Sequence, residues 1–249
     1  MNPAGRTEVD HLESLPQGPF IDVVIPALNE EEALAQTLDS VRDSSVHEIV
    51  VVDGGSQDAT VAIAQAQGGR VVHSAPGRAS QMNHGAGAST GEVLLFLHAD
   101  TVLPDGFGDL VRQALADPNV VGGRFDVRLS GDDRRLRVVE FFMNWRSRWT
   151  GVATGDQAIF VRRRTFDKMS GFADMPLMED VDFTSRMRRF GRCAPLRARV
   201  RTSSRRWEQN GVARTVVLMW GLRLAYALGV GPRRLAAIYS RGRPVAARR

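Results

Sequence analysis

The chain has 249 residues and a single cysteine, so it can bury a sizeable core as one domain, and an internal disulfide is excluded. No N-terminal stretch joins basic residues to a long apolar run, which argues against a secreted protein and favours a cytoplasmic one. Residues 186–249 contain 17 arginines and one acid, a net charge of +16, whereas residues 1–185 carry −11. This basic C-terminal segment, the basic rear, is suited to bind a diphosphate or an anionic membrane surface, or it is a solvated surface without a ligand. It contains few aromatic residues and no recognisable nucleic-acid-binding motif, which argues against binding to nucleic acid.

Strands and helices alternate in the first hundred residues. Apolar runs predict strands at residues 21–25, 48–52, 70–73 and 93–97. Helical patterns predict helices at residues 30–42, 60–67 and 79–88. Such alternation implies an α/β fold with a mostly parallel sheet flanked by helices.

The second half of the chain has a different pattern. It predicts a strand at residues 120–129, a helix at 134–149, a glycine-rich turn and strand at 151–160, and a helix at 181–190. The apolar stretch 212–230 carries Arg214 and Arg223 on opposite helical faces, and the uninterrupted apolar run within it is far below the roughly 20 residues that a bilayer span needs. We therefore expect a flexible leader over residues 1–18, a domain over 19–210, and a C-terminal helix and basic tail over 211–249. That helix packs on the domain, on a second subunit as a homodimer, or in the membrane interface.

Two polar segments follow the first and second predicted strands. The first, PALNEE at residues 26–31, lacks the G-x-G-x-x-G of a dinucleotide-binding fold, which argues against a hydride-transfer enzyme. Asn29 in it is expected to cap the next helix. The second segment opens with Asp53 and Gly54, where a carboxylate can accept hydrogen bonds from a ribose or base and glycine lets a ligand approach the backbone.

His98-Ala99-Asp100 follows the apolar strand at residues 93–97. Because residues two apart in an extended chain share a face, His98 and Asp100 can address one metal ion or one phosphate. Upstream, Arg78 stands at a helix entrance, where the helix dipole disfavours a cation unless an anion binds there. Arg78 is therefore a candidate contact to a base or phosphate.

In order and spacing, these three segments resemble family 2 glycosyltransferases of the GT-A fold. The resemblance implies that the first two segments hold the nucleotide and that the third replaces the family's metal-binding Asp-x-Asp. Because His98 stands in place of the first aspartate, Asp100 is the expected ligand of Mg²⁺ or Mn²⁺. His98 is a second ligand, a phosphate contact or a structural side chain. Asn83 also matches the family's glycine-containing segment.

Residues 178–183, MEDVDF, place three carboxylates at the start of a predicted helix. They resemble the family's acceptor-site Glu-Asp motif. The alternative is that these acidic residues only stabilise the N-terminus of the helix through its dipole. The resemblance implies that Asp180 takes the proton of the acceptor hydroxyl in an inverting transfer and that Glu179 supports it.

Two further pairs complete the predicted site. Asp156 and Gln157 lie where related transferases approach the donor sugar, although a polar turn explains them as well. Arg206 and Trp207 match part of the Gln-x-x-Arg-Trp signature of processive enzymes in the family. Ser203 replaces the glutamine, which argues against a polymer-making synthase.

The sequence thus predicts a metal-dependent, inverting glycosyltransferase that moves one sugar from a UDP- or GDP-sugar to an unidentified hydroxyl acceptor. Alternatives are transfer to a polyprenyl phosphate or another lipid at the inner face of the cell membrane, and a catalytically silent nucleotide-sugar-binding protein. Residues 205–239 also resemble the radical-SAM- and selenodomain-associated, arsenosugar-type subfamily, in which the histidine of the metal triplet is a shared trait. The predicted nucleotide-sugar contacts are Pro26, Ala27, Leu28, Glu30, Asp53, Gly54, Arg78, Asn83, Asp156, Gln157, Arg206 and Trp207, with Asp100 and His98 at the metal and Asp180 and Glu179 at the acceptor.

Overall fold

The computed structural model describes residues 18–241; the rest of the predicted leader and the basic tail from residue 242 lie outside the described residues. Within them, one sheet has the strand order β3-β2-β1-β4-β7-β6-β8-β5. The strands are β1 (Ile21–Ala27), β2 (Val46–Asp53), β3 (Arg70–His73), β4 (Val93–Phe96), β5 (Thr101–Val102), β6 (Val120–Leu129), β7 (Ile159–Arg162) and β8 (Arg192–Thr202). The helices are α1 (Leu34–Ser40), α2 (Thr60–Ala66), α3 (Arg78–Ala88), α4 (Phe107–Leu115), α5 (Arg134–Thr150), α6 (Arg163–Lys168), α7 (Glu179–Met187), α8 (Arg205–Asn210), α9 (Val212–Ala227) and α10 (Pro232–Arg241).

The first four strands form one parallel unit of the sheet, and β6 and β8 form a second parallel pair. β1 pairs in parallel with β2 and β4, and β2 pairs in parallel with β3. Ala27 at the end of β1 lies opposite Asp53 at the end of β2, so the loops after both strands leave the sheet at the same edge. The α/β fold predicted from the alternating pattern is confirmed, and its ligand edge is the carboxyl end of these strands.

Helices cover both faces of the sheet and bury two apolar layers. Val23 and Ile25 of β1 belong to one layer, and Val24 belongs to the other. Because both faces of the strand are buried, its sequence is apolar apart from Asp22, whose buried carboxylate accepts hydrogen bonds from Thr90 N and Gly91 N. Gly85 lets α3 approach the sheet, since a Cβ there would overlap Val24.

Two predicted helix starts differ from the structure. α1 begins at Leu34 and not at residue 30, because Asn29 adopts a left-handed φ of 54° and its Oδ1 accepts a hydrogen bond from Gln57 N. The expectation that Asn29 caps this helix is therefore wrong. α7 begins at Glu179, two residues earlier than predicted, directly after Met178 with a φ of 71°.

The C-terminal helices pack against the rest of the domain. Leu222 of α9 and Leu235 of α10 share a buried cluster with Met178, and Val212 packs with Leu129 at the end of β6. None of the helices in residues 18–241 combines the length and apolarity that a bilayer crossing requires. The C-terminal helical extension is thus held by buried apolar contacts.

Candidate functional site

A cavity of about 1480 Å³ opens at the carboxyl edge of the parallel strands. Its walls come from the loop after β1, the start of α3, the segment after β4, and the helices α5, α8 and α9. The predicted contacts that line it are Pro26, Ala27, Leu28, Glu30, Arg78, His98, Asp100, Asp156, Arg206 and Trp207. The fold thus brings together side chains from both ends of the domain.

Hydrogen bonds join the loop after β1 to the loop after β2. Asn29 N donates to Ser56 Oγ at 3.0 Å, and Gln57 N donates back to Asn29 Oδ1 at 2.8 Å. Glu30 N donates to the buried Thr60 Oγ1 at 2.8 Å. The two loops therefore form one wall, whose side chains satisfy each other's backbone groups.

Asp53 is buried at the base of this wall and holds its own turn. Its carboxylate accepts hydrogen bonds from Gly55 N and Ser56 N, both at 3.0 Å, and lies 3.2 Å from His73 Nδ1. Burial raises the pKa of Asp53, but the hydrogen bonds from Ser56, Gly55 and His73 outweigh burial and lower the pKa below its usual value. Gly54 N donates to Ala27 O. Asp53 and Gly54 therefore lie behind the wall formed by the loops after β1 and β2 and hold its backbone in place.

Gln81 supports the same wall and was not recognised in the sequence. Its buried Nε2 donates to Ala27 O at 2.9 Å and to Val52 O at 2.8 Å, which ties the ends of β1 and β2 together. A polar residue in a helix of small side chains gives no sign of this role until α3 is placed across both strands.

Two predicted contacts lie inside the fold, away from the cavity wall. Asn83 Nδ2 donates to Phe172 O at 2.8 Å, and Phe172 N donates to Asn83 Oδ1 at 2.9 Å. Gln157 is fully buried, and its Nε2 donates to Ser147 Oγ at 3.0 Å. Both amides are occupied because buried polar groups need partners, which corrects the expectation that Asn83 and Gln157 face a nucleotide sugar.

His98 contacts Asp156 across the cavity floor. The imidazole Nδ1 lies 3.2 Å from Asp156 Oδ1, and its Nε2 is so close to Gly155 that a Cβ there would overlap it. Burial raises the pKa of Asp156, but His98, Arg206 and Arg78 together hold it well below its usual range. The structure thus gives the ring a positioning contact with an ionised carboxylate, and the roles of His98 as a metal ligand or phosphate contact stay predictions.

Asp100 and Glu30 leave uncompensated negative charge in the cavity. Asp100 is half-buried and, in residues 18–241, its carboxylate makes no hydrogen bond or ion pair. Burial and then Asp100 raise the pKa of Glu30, while Arg205, whose Nη2 lies 3.3 Å from Glu30 Oε2, lowers it. A free carboxylate of this kind fits a hard divalent cation.

A cation here would need ligands beyond the protein. No group of three or more His, Cys, Asp or Glu side chains suited to a metal occurs among the described residues. Mg²⁺ is commonly held by one or two carboxylates together with phosphates and waters, so Asp100 with a bound diphosphate suffices.

The Glu179-Asp180 pair lies directly behind the turn that carries Asp156. Asp180 Oδ2 accepts a hydrogen bond from Gly155 N at 2.8 Å, and Oδ1 accepts one from Val181 N at 2.7 Å. Glu179 is buried, and burial together with Asp180 raises its pKa. Both oxygens of the half-buried Asp180 side chain thus accept hydrogen bonds from backbone donors, and Asp180 lies behind the cavity floor without being one of the residues that line the cavity.

Arginines supply the positive charge of the cavity. Arg78 is exposed to it and has no hydrogen bond or ion pair within the described part of the chain. Desolvation lowers the pKa of Arg78, but Glu179 and Asp156 outweigh that effect and raise it.

Arg206 stacks 5.5 Å over the ring of Tyr239, and Trp207 packs partly against the cluster around Leu129. Three further cavity arginines were not predicted as site residues: Arg146, Arg214 and Arg223.

Comparison with known proteins identifies relatives of the domain that forms this cavity. Residues 22–171 match the model of the family described as glycosyl transferase family 2. A glucosyl-3-phosphoglycerate synthase of Mycobacterium tuberculosis is 33% identical over 108 residues, which cover 39% of this chain and 33% of the relative. A PGL/p-HBAD biosynthesis glycosyltransferase of Mycobacterium bovis is 31% identical over 188 residues, 68% of this chain and 69% of that protein.

The fold has solved counterparts. The crystal structure of the M. tuberculosis synthase in complex with Mn²⁺ and uridine-diphosphate-glucose matches with a TM-score of 0.54 and 22% identity. The match covers 80% of this chain and 75% of that one. In sequence, however, the chain spans only about a third of the length of the curated synthases that it matches, 33% in the example above. The structural likeness identifies the fold as that of GT-A enzymes.

Proposed function

The chain belongs to glycosyl transferase family 2, and from that premise we propose that it moves a single sugar from a UDP-sugar to a hydroxyl acceptor by an inverting, metal-dependent reaction. The observation that carries the proposal is the unpaired carboxylate of Asp100 in the cavity, with Asp180 directly behind the turn that carries Asp156. Asp100 is free to hold a cation, and Asp180 is tied to that turn by its hydrogen bond from Gly155 N. A donor and an acceptor would meet between them.

The donor lies against the wall formed by the loops after β1 and β2. UDP is the favoured nucleotide because the M. tuberculosis synthase of the same fold binds UDP-glucose with Mn²⁺. In this chain Pro26 to Glu30 line the nucleotide wall, and the unpaired Arg78 faces the phosphates. Asp100 would hold Mg²⁺ or Mn²⁺ against the diphosphate, where the cation neutralises the charge of the leaving group.

Asp180 acts as the general base. Its carboxylate takes the proton of the acceptor hydroxyl while that oxygen forms a bond to the anomeric carbon from the side opposite UDP. The bond from the anomeric carbon to the β-phosphate oxygen breaks, and its electron pair leaves with UDP. Arg78 and Arg206 are placed to stabilise the departing charge, and His98 keeps Asp156 ionised beside the reacting centre.

Within the family, we place the chain in the radical-SAM- and selenodomain-associated subfamily on sequence resemblance alone. His98 of the metal triplet and residues 229–232, Gly-Val-Gly-Pro, carry that resemblance. In this assignment His98 is a positioning residue for Asp156.

A thermal-shift titration with UDP-, GDP- and TDP-sugars, each with and without Mn²⁺, tests the proposal. A UDP-sugar with Mn²⁺ should raise the melting temperature most, because a ligand at 100 times its Kd stabilises the folded state by about 2.7 kcal/mol. No response to any nucleotide sugar in the presence of Mn²⁺ would overturn the proposal. UDP release above the rate without protein separates a transferase from a silent nucleotide-sugar-binding protein.

A further inference from the structure

Two arginines on the far wall of the cavity lack anionic partners. Arg146 on α5 and Arg223 on α9 both line the cavity, and neither forms an ion pair within residues 18–241. Arg146 Nη1 donates to Val152 O at 3.0 Å, but its Nη2 is buried and has no hydrogen-bond partner. The side chain of Arg223 makes no hydrogen bond to any described residue. Buried N–H groups in folded proteins are nearly always paired, so Nη2 of Arg146 and the guanidinium of Arg223 beside it are candidate donors to a ligand.

The charges around the two guanidinium groups favour an anion. Burial and then the neighbouring Arg223 lower the pKa of Arg146 to about 10. Burial likewise lowers the pKa of Arg223, and Asp180 opposes the shift in both arginines. Two like charges held close together in a half-buried setting repel each other, and an oxyanion between them would relieve the repulsion and accept bidentate hydrogen bonds.

This arginine pair belongs to the acceptor side and not to the donor side. The nucleotide wall and Asp100 come from the strand ends, whereas α5 and α9 face them across the cavity. The hydrogen bond from Arg146 to Val152 O ties it to the segment that leads into the Gly155 turn, and Gly155 N donates to Asp180 Oδ2. A group bound by the two arginines therefore lies on the side of the cavity where Asp180, the proposed base, holds that turn.

We propose that Arg146 and Arg223 bind an anionic group of the acceptor, a phosphate or a carboxylate, and so hold a neighbouring acceptor hydroxyl against Asp180. This inference rests on the proposed function and names its acceptor class. Phe142, Trp145, Met219 and Trp220 line the cavity beside the pair, so the acceptor has an apolar portion next to its anionic group. Such a compound is either a soluble phosphorylated hydroxyl compound or the headgroup of a phospholipid.

Calorimetric titration of glycerol phosphate into the full chain saturated with UDP and Mn²⁺ tests the proposal, because UDP blocks the donor phosphate site. The wild type should bind glycerol phosphate and not glycerol. Arg223→Gln and Arg146→Gln should each weaken that binding by about tenfold or more, since a charge-assisted hydrogen-bond partner is lost. Arg189→Gln removes the same charge from an exposed position outside the cavity and should behave as the wild type.

The affinity for UDP with Mn²⁺ separates the possible failures. It should stay within about twofold of the wild type in both cavity variants, which also shows that they are folded. Arg223→Gln decides the matter if Arg146→Gln does not fold, because Arg223 holds no other described residue. Unchanged glycerol phosphate binding in Arg223→Gln, with normal UDP binding, overturns the inference and leaves the proposed function intact. Failure of the wild type to bind UDP with Mn²⁺ overturns the proposed function and the acceptor assignment with it.

A vesicle arm identifies the source of the anion. Sedimentation with phosphatidylcholine vesicles that contain phosphatidic acid, but not with phosphatidylcholine alone, and its loss in Arg223→Gln would support a lipid acceptor. Glycerol phosphate binding without vesicle binding would support a soluble acceptor. If the wild type binds neither probe, the inference is wrong.

Discussion

The two walls of the cavity are built in different ways. On the nucleotide wall, polar side chains form hydrogen bonds within the protein. Thr60 Oγ1 accepts a hydrogen bond from Glu30 N, and Gln81 Nε2 donates to backbone oxygens at the ends of β1 and β2. On the wall formed by α5 and α9, Arg146 and Arg223 have no anionic partner among the described residues, and Trp220 is 60% exposed. The two loops of the nucleotide wall are fixed by internal hydrogen bonds, whereas the arginines of the opposite wall keep unused donors.

This difference separates two tasks that one cavity must perform. A wall whose loops are already fixed loses little conformational entropy when it binds, so it suits a donor of constant shape. A wall with spare donors gains hydrogen bonds only from a ligand that supplies acceptors, so it selects its ligand by charge. We therefore expect acceptor choice to depend on α5 and α9, and donor affinity to depend on the strand ends.

Asp180→Asn should have the largest effect and should act on the acceptor step alone. Asparagine keeps an oxygen for Gly155 N but cannot take a proton, so the rate of sugar transfer, followed as UDP release, should fall by about 10²–10⁴-fold. UDP affinity with Mn²⁺ should not change. Asp182→Asn, which removes a carboxylate paired with Arg186 on the same helix, is the matched control and should stay close to the wild type. Full activity in Asp180→Asn would contradict the role of Asp180 as the general base.

Asp100→Asn should act on the donor step. We expect Mn²⁺-dependent UDP binding to weaken about tenfold or more, because a charged ligand of the cation is lost, while the weaker binding without metal persists. Calorimetry with and without Mn²⁺ measures both quantities. Asp105→Asn changes an exposed carboxylate in the next loop and should have no effect. Equal loss of UDP binding with and without Mn²⁺ would contradict a metal role for Asp100.

Thr60→Val tests whether the nucleotide wall is fixed in advance. Thr60 is fully buried, and valine leaves Glu30 N without its acceptor, so the free energy of unfolding in urea should fall by about 1–3 kcal/mol. Thr90→Val, at an exposed position, is the control and should change it little. Unchanged stability in Thr60→Val would mean that the two loops are not held together by this bond.

Trp220→Ser should have the smallest effect on stability. Because the ring is mostly exposed, its removal should change the free energy of unfolding by less than about 0.5 kcal/mol. Leu222→Ala, two residues further along α9 and buried, should instead cost about 2–5 kcal/mol. A large loss for Trp220→Ser would show that the aromatic wall is part of the core and would remove the contrast between the two walls.

The fold was predictable where both faces of a strand are buried, because an apolar run such as Val23 to Ile25 in β1 needs no further context. β8 was missed although its pattern alternates: Leu196, Ala198 and Val200 point inward or lie half-buried, and Arg197 and Arg199 are exposed. These arginines were counted as part of a basic rear. They are the solvent face of a strand, so that part of the charge has a structural cause.

The site was predictable only as far as its residues are local in sequence. The order of the motifs gave Asp100 and Asp180, and both lie at or next to the cavity. The contact between His98 and Asp156 and the pairing of Arg146 with Arg223 depend on how distant elements pack, which no local pattern encodes. The sequence did contain one indication of this pair. Arg223 stands within an apolar helix, and burying a charged side chain costs free energy unless a partner or a ligand compensates the charge.

The close packing of the His98 ring on Gly155 also restricts how this sequence can change by descent. Because a Cβ at position 155 would overlap Nε2 of His98, a substitution there forces the imidazole to move away from its contact with Asp156. Asp156 would then lose the partner that contributes most to its lowered pKa. Glycine at 155 and histidine at 98 are therefore coupled through one contact.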